Sequence, residues 1–317
     1  MRLWTLTLAA AALVAIPALA QSQDYPTKPV QAIVPTNAGG SVDSVARIIQ
    51  RFADTNADFG QKIAVVNMDG AGGTIGTRAV YEAEPDGYTI GLWHEGLITS
   101  AVMGVTDFDH TDFTILGITG YSEIGLGAAT NGPISDFADL LAKAKASPDS
   151  INVATNVGLA VHFVPLMMQE KAGVTLHYVQ VGGGAKRFPS VAGGHTDVAI
   201  FAVSEFIQWK DVGLKPLVIF SEERMPELPD TPTAKEHGID LVANGMRIWI
   251  APKGIPDEAR TKLTALLKAA VESPEGKQAF IDAGFRPVFI GPEETVAILD
   301  EWDANARPLV DTAKQLE

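Results

Sequence analysis

"IVPTNAGGSVDSVARIIQ", residues 33–50, is an apolar run that breaks into Asn-Ala-Gly-Gly-Ser and then resumes at helical spacing. Residues 30–35 are apolar and bounded by prolines, the pattern of a short buried strand. Residues 42–53 put Val45, Ile48, Ile49 and Phe52 on one face, which predicts an amphipathic helix. The glycines between them have two readings. Glycine makes tight turns, and a helix start wrapped in bare backbone amides holds an anion. Ser41 is the expected N-cap, and Asp43 complements the helix dipole from the first turn. Those two roles account for both residues structurally. The functional reading adds that the amides near Ala38, Gly39 and Gly40 stay open to an anion.

The same rhythm extends outward. A strand at 63–66, glycines at 70–73, a helix over 74–83, a Pro85-Asp86-Gly87 turn and a strand at 88–92 follow in order. The middle repeats it. A helix is expected over 135–146 with Ser135 as N-cap, a strand at 151–154 and a helix over 161–172. A strand at 176–181 ends in three glycines, with a helix over 186–192 and a strand at 197–203. The end holds a strand at 248–251 and helices over 256–273, 274–283 and 292–316, with Pro256 suited to a first helical turn. Strand, glycine turn, helix, strand is the order of a parallel sheet with crossover helices, an α/β fold. The pattern restarts near residue 128, so two lobes are expected, each a central sheet flanked by helices.

Three glycine turns therefore lie between a strand and a helix: 37–41, 70–73 and 182–185. In open α/β sheets such turns stand at the carboxyl ends of strands, where ligands bind. They carry no basic residue except Lys186 and Arg187 just beyond the third, so an anion there would be held mainly by amides and helix dipoles. Arg187 has two possible placements: its guanidinium reaches the cleft and pairs a carboxylate, or it points to solvent from the first turn of its helix.

The chain opens with Arg2, an apolar stretch from Leu3 to Ile16 and Ala18-Leu19-Ala20, which reads as an export signal over residues 1–20. The full chain carries 24 basic and 38 acidic residues, a net charge of −14, which argues against a nucleic-acid partner. There are no cysteines, hence no disulfides. No nucleophile elbow or phosphate loop occurs. The histidines at 94, 110, 162, 177, 195 and 237 show no metal spacing, so neither a metal nor a cofactor is expected. His162 with Asp197 or Glu205 would make an acid–base pair, but a histidine capping local backbone is the simpler reading.

Taken in order, "DYPTKPVQAIVPTNAGGSVDSVAR" (24–47), "VVNMDGAGGTIGT" (65–77), "AEPDGYTI" (83–90), "YVQVGGGAKRFPSVAGGHTDVAI" (178–200) and "IAPKGIP" (250–256) make the chain resemble the Bug family, the receptors of tripartite tricarboxylate transporters. The resemblance covers nearly all of the chain after the leader. It implies a two-lobed Venus flytrap of the type II periplasmic binding protein kind, with residues 21–127 and 244–317 in one lobe and 128–243 in the other. It also implies a periplasmic, monomeric receptor for a di- or tricarboxylate or an aromatic acid. Its expected partners are membrane transporter subunits, with a sensory module signalling to a kinase, or an exported α/β enzyme, as alternatives. Carried over, the first-lobe contacts are Thr36, Asn37, Ala38, Gly39, Gly40, Ser41 and Asp43, with Ala71 and Gly73 nearby. The second-lobe contacts are Thr155, Gly158, His162, Gly183, Gly184 and Ala185, with Asp197 behind them. The chain departs from the family pattern at Thr36, Asn37, Ala38, Val42, Leu159, Val181, Gly182, Lys186 and Arg187, on the walls expected to touch the variable part of a ligand.

Overall fold

The computed structural model describes residues 25–181 and 184–314. The expected export signal and Gly183 lie outside the described residues. Strands β1 (Val30–Val34), β2 (Ile63–Asn67) and β3 (Thr89–Trp93) run parallel, joined by helices α1 (Ser41–Thr55) and α2 (Thr74–Tyr81). Helix α3 (Gly96–Val102) then leads to β4 (Phe113–Ala129), a strand of 17 residues. The middle segment contains α4 (Phe137–Ala146), β5 (Asn152–Thr155), α5 (Ala160–Ala172), β6 (His177–Gln180) and α6 (Gly184–Ala192). After them come β7 (Val198–Ala202), α7 (Val203–Trp209) and β8 (Leu214–Ile219). The chain returns along β9 (Asn244–Pro252) and ends with α8 (Asp257–Glu272), α9 (Pro274–Asp282), β10 (Arg286–Ile290), α10 (Pro292–Ala306) and α11 (Val310–Lys314).

β4 joins two sheets. Up to Glu123 it pairs antiparallel with β9; from Ile124 it pairs antiparallel with β7, and from Gly125 with β8. This register fixes which ends face each other. β3 and β4 are both antiparallel to β9, so β4 leaves the first sheet at the carboxyl ends of β1–β3. It enters the second with Ile124 opposite Ala202, at the carboxyl end of β7, to which β5 is parallel. The two sheets thus turn their carboxyl ends toward one another, the placement that makes strand-to-helix turns ligand-facing.

Buried apolar side chains pack on both sheets, most of them in one continuous core. Ile33, Val45, Ile49, Ile90, Leu92 and Trp249 bury completely or nearly so around the first, and Val153, Phe163, Phe201 and Phe206 around the second. The C-terminal helices link the two, since Trp302 of α10 packs its ring 6.2 Å from Phe163 of α5.

Several local expectations are corrected. Asp136, not Ser135, caps α4, taking the Asp139 N–H at 2.8 Å. The helix expected over 292–316 breaks into a 3-10 turn at Arg307–Leu309, where Pro308 has no N–H to give. No strand was expected over the residues of β4, which include four glycines. They are demanded by close packing: a Cβ on Gly125 would sit 2.3 Å from the Val218 carbonyl oxygen.

Candidate functional site

At the carboxyl end of β1 the chain passes through Thr36 into an exposed loop, Asn37 to Gly40, before α1. Gly39 stands at φ +81°, which a residue with a side chain adopts only under strain. Gly40 is the N-cap and supplies no side-chain cap; Ser41, expected in that role, is the first helical residue. The loop is held by Asp43, which is 1 % exposed. Asp43 accepts the Gly39 N–H at 2.8 Å, the Arg47 Nε at 2.8 Å and the Asn67 Nδ2 at 3.0 Å. Burial pushes its carboxyl up, but the bonds from Arg47, Gly39 and Asn67 hold it below the ordinary carboxylate range. The Gly39 amide is therefore occupied, and the Gly40 amide bonds to the Asn37 carbonyl at 3.4 Å. This corrects the expectation that both stay open. Asn37 Nδ2 donates to Asp69 at 2.6 Å, tying the loop to the second glycine turn. There Ala71–Gly73 forms a 3-10 turn in which Gly73 lies against Trp93.

The opposite sheet repeats the device. Gly158 stands at φ +80° and gives its N–H to His162 Nδ1 at 3.2 Å, and the N-cap, Leu159, again offers no side chain. Thr155 ends β5 and donates its hydroxyl to the Val161 carbonyl at 3.0 Å. Burial pushes His162 down to about 4, so it stays neutral at pH 7. With Nδ1 accepting, the proton sits on Nε2, a buried atom with no partner among the described residues. Gly184 and Ala185 open α6. Lys186 is exposed, whereas Arg187 does not point to solvent as one of its two expected placements had it. It is 7 % exposed, donates Nε to the Ile200 carbonyl at 3.2 Å and faces Glu205 and the Phe201 ring. Asp197 is not brought to this end. It accepts the Asn152 N–H at 2.8 Å, level with the start of β5, three residues or about 10 Å below Thr155.

The two ends meet. A Cβ on Gly72 would lie 3.8 Å from a Leu159 methyl, and one on Gly158 would lie 3.5 Å from Met103 of the first sheet's α3 segment. A cavity of about 600 Å³, lined by Gly39, Asp43, Arg47, Arg51 and Asp282, opens beside the α1 start rather than between the sheets.

Sequence reasoning missed three residues here. β9 runs antiparallel to β3, with Ile248 opposite Trp93, so the residues just before Ile248 stand beside those just after Trp93. Arg247 is 4 % exposed, and its Nη2 donates to Ser41 Oγ at 3.2 Å while Nη1 donates to the Met246 and Gly245 carbonyls at 3.1 and 3.3 Å. Its guanidinium lies 4.8 Å from the Phe285 ring centre. Burial pulls it down to about 10, still protonated at pH 7. Glu95 is 3 % exposed and accepts the Met246 N–H. Burial pushes its carboxyl up to about 7, against the pull of those bonds and of Arg247. His94 stacks on Trp93 at 3.9 Å, and burial followed by the Arg247 charge pushes it well below the histidine range. The one available signal was Arg247 interrupting the apolar run before "IWIAP".

Among the described residues no group of His, Cys, Asp and Glu converges to hold a metal, and no helix is long and apolar enough to cross a membrane.

Residues 45–314 match the family model described as the tripartite tricarboxylate transporter family receptor. A protein of the TAR-I ttuE–ttuC′ intergenic region of Agrobacterium vitis is 30% identical, over 86% of this chain and 80% of its own. The fold matches periplasmic binding protein BugD with a TM-score of 0.77 at 29% identity, covering 92% of this chain and 99% of that one. It matches MatC of Rhodopseudomonas palustris, solved with bound malate, with a TM-score of 0.77 at 26% identity, covering 90% and 100%.

Proposed function

The chain belongs to the tripartite tricarboxylate transporter receptor family, and on that premise we propose that it is a periplasmic receptor that encloses a small organic acid between two lobes and hands it to the membrane subunits of a transporter of that type. The acid is a di- or tricarboxylate or an aromatic carboxylate. Residues 21–127 and 244–317 form one lobe and 128–243 the other, and residues 1–20 direct export.

One observation carries this reading. The starts of α1 and α5, one on each sheet, stand at strand carboxyl ends, follow a glycine near φ +80°, and have an N-cap that lends no side chain. Helix starts of this kind attract negative charge. In this reading Ala38, Ser41, Ala71, Gly158 and Gly184 line the enclosed space, with Asp43 and His162 shaping the loops rather than reading the ligand. The malate in MatC is a dicarboxylate, which suits such a pair of starts. Chemistry on the ligand is not part of the reading, because no activated nucleophile stands at either start.

A thermal-shift screen tests it. Succinate, malate, citrate and benzoate are compared with glucose and putrescine. An acid at one hundred times its dissociation constant stabilises by about 2.7 kcal/mol, a Tm rise of roughly 5–10 °C. A rise with glucose or putrescine but with none of the acids overturns the proposal.

A further inference from the structure

Arg247 is a buried guanidinium without an ion pair among the described residues. Its partners are the carbonyl oxygens of Gly245 and Met246 and the hydroxyl of Ser41, and its Nε has no partner among the described residues. Buried charges are ordinarily paired, because a cation removed from water is costly without an anion. Two other arginines of the first lobe have theirs: Arg47 pairs with Asp43 at 2.8 Å and Arg286 with Glu123 at 3.3 Å. The charge of Glu95 acts on Arg247, but among the described residues no ion pair joins the two, and Glu95 gives an oxygen to the Met246 N–H instead.

The position supplies the missing anion's direction. Arg247 reaches Ser41, the exposed first residue of α1, whose N-cap lends no side chain. Asp43 has already taken the Gly39 amide, so the loop alone offers an anion less than its glycines suggest. A guanidinium behind that loop restores the positive field at the α1 start and adds a fork that fits a carboxylate.

We infer that Arg247 is the specificity-determining cation of the first lobe, completing its bonds with one carboxylate of the ligand at the α1 start. This rests on the receptor reading above. A ligand carrying a carboxamide at that end leaves the buried charge unanswered, so Arg247 rejects amides and monoanions there.

The test uses the whole exported chain and the tightest-binding acid among succinate, malate and citrate, together with its monoamides. Wild-type protein prefers the acid to the weaker-binding monoamide. Arg247→Gln keeps a hydrogen-bonding side chain without the charge. It is expected to lose roughly 10- to 100-fold in acid affinity and to bring the acid-to-monoamide ratio close to one, while the ligand-free Tm holds or rises. Arg247→Lys keeps the charge without the fork and is expected to fall between. A second measurement needs no variant to fold. In wild-type protein labelled with 15N-arginine, the acid shifts the buried Arg247 Nε resonance, and the weaker monoamide leaves it in place.

Two results overturn the inference while the receptor reading stands. In one, the acid binds wild type but Arg247→Gln keeps the ratio and merely lowers the Tm. In the other, the acid binds and the Arg247 Nε resonance does not move. If neither these three acids nor benzoate binds wild type at all, the receptor reading fails and this inference with it.

Discussion

At the start of α1, Gly39 lies at φ +81° and gives its N–H to a side chain four residues on; at the start of α5, Gly158 lies at φ +80° and does the same. The acceptor is an aspartate in one lobe and a neutral histidine in the other. Asp43 is bound by Gly39, Arg47 and Asn67 and sits in the first helical turn, where its charge answers the α1 dipole. His162 brings no charge and leaves a buried Nε2–H unpartnered among the described residues. Similar glycine turns therefore carry unequal charge. On the proposed reading the second lobe would attract an anion with its helix start alone, whereas the first would need a further positive charge, and Arg247 stands beside Ser41 there.

Removing the charged acceptor should cost most. Asp43→Ala leaves the Gly39 N–H without its acceptor, removes one of the two bonds of the Asn67 Nδ2 and frees the Arg47 Nε, and a loss of roughly 3–4 kcal/mol is expected in denaturant unfolding. Asp43→Asn should cost about half as much, since one acceptor oxygen remains.

The next effect lies in pH. Glu95's carboxyl is raised in the fold from 4.5 to about 7. The fold favours its neutral form, so its contribution is fully present below about pH 4.5 and is lost as the pH rises to about 7. The loss amounts to about 3 kcal/mol. Glu95→Gln keeps an acceptor for Met246 without ionising. Its stability should match wild type near pH 4.5 and exceed it increasingly up to pH 7.5, and parallel melting curves across that range would contradict the role given to Glu95.

Breaking the neutral half is milder. His162→Gln is expected to cost about 1–2 kcal/mol, from one 3.2 Å bond and imperfect refilling of a ring-sized space. Smallest are the glycines. Gly39→Ala and Gly158→Ala should each lose about 1 kcal/mol by left-handed strain. Nothing lies within 4 Å of a Cβ on Gly39, and Met103 meets one on Gly158 at an ordinary 3.5 Å, so a much larger loss at either would show that the loop is held differently.

Both glycine turns and the strands that feed them are legible in the sequence, because apolar runs and left-handed glycines are local signals. The aspartate bond is not. Ser41 is the customary cap residue, and the exchange of roles with Gly40 and Asp43 depends on Asn67, which arrives from β2 to hold the carboxylate. Arg247 was hidden for a similar reason. It is an ordinary residue before a strand until β9 pairs with β3 and sets it beside Ser41, more than 200 positions away. β4 escaped because close packing, not turning, explains Gly125 and Gly127, and packing partners are distant in sequence.

Titration calorimetry with the best dicarboxylate and its diamide, at low and at physiological salt, measures the central claim directly. The account predicts one acid bound per chain, affinity falling as salt rises, and no heat with the diamide. Equal affinity for acid and diamide would contradict an anion site between the α1 and α5 starts.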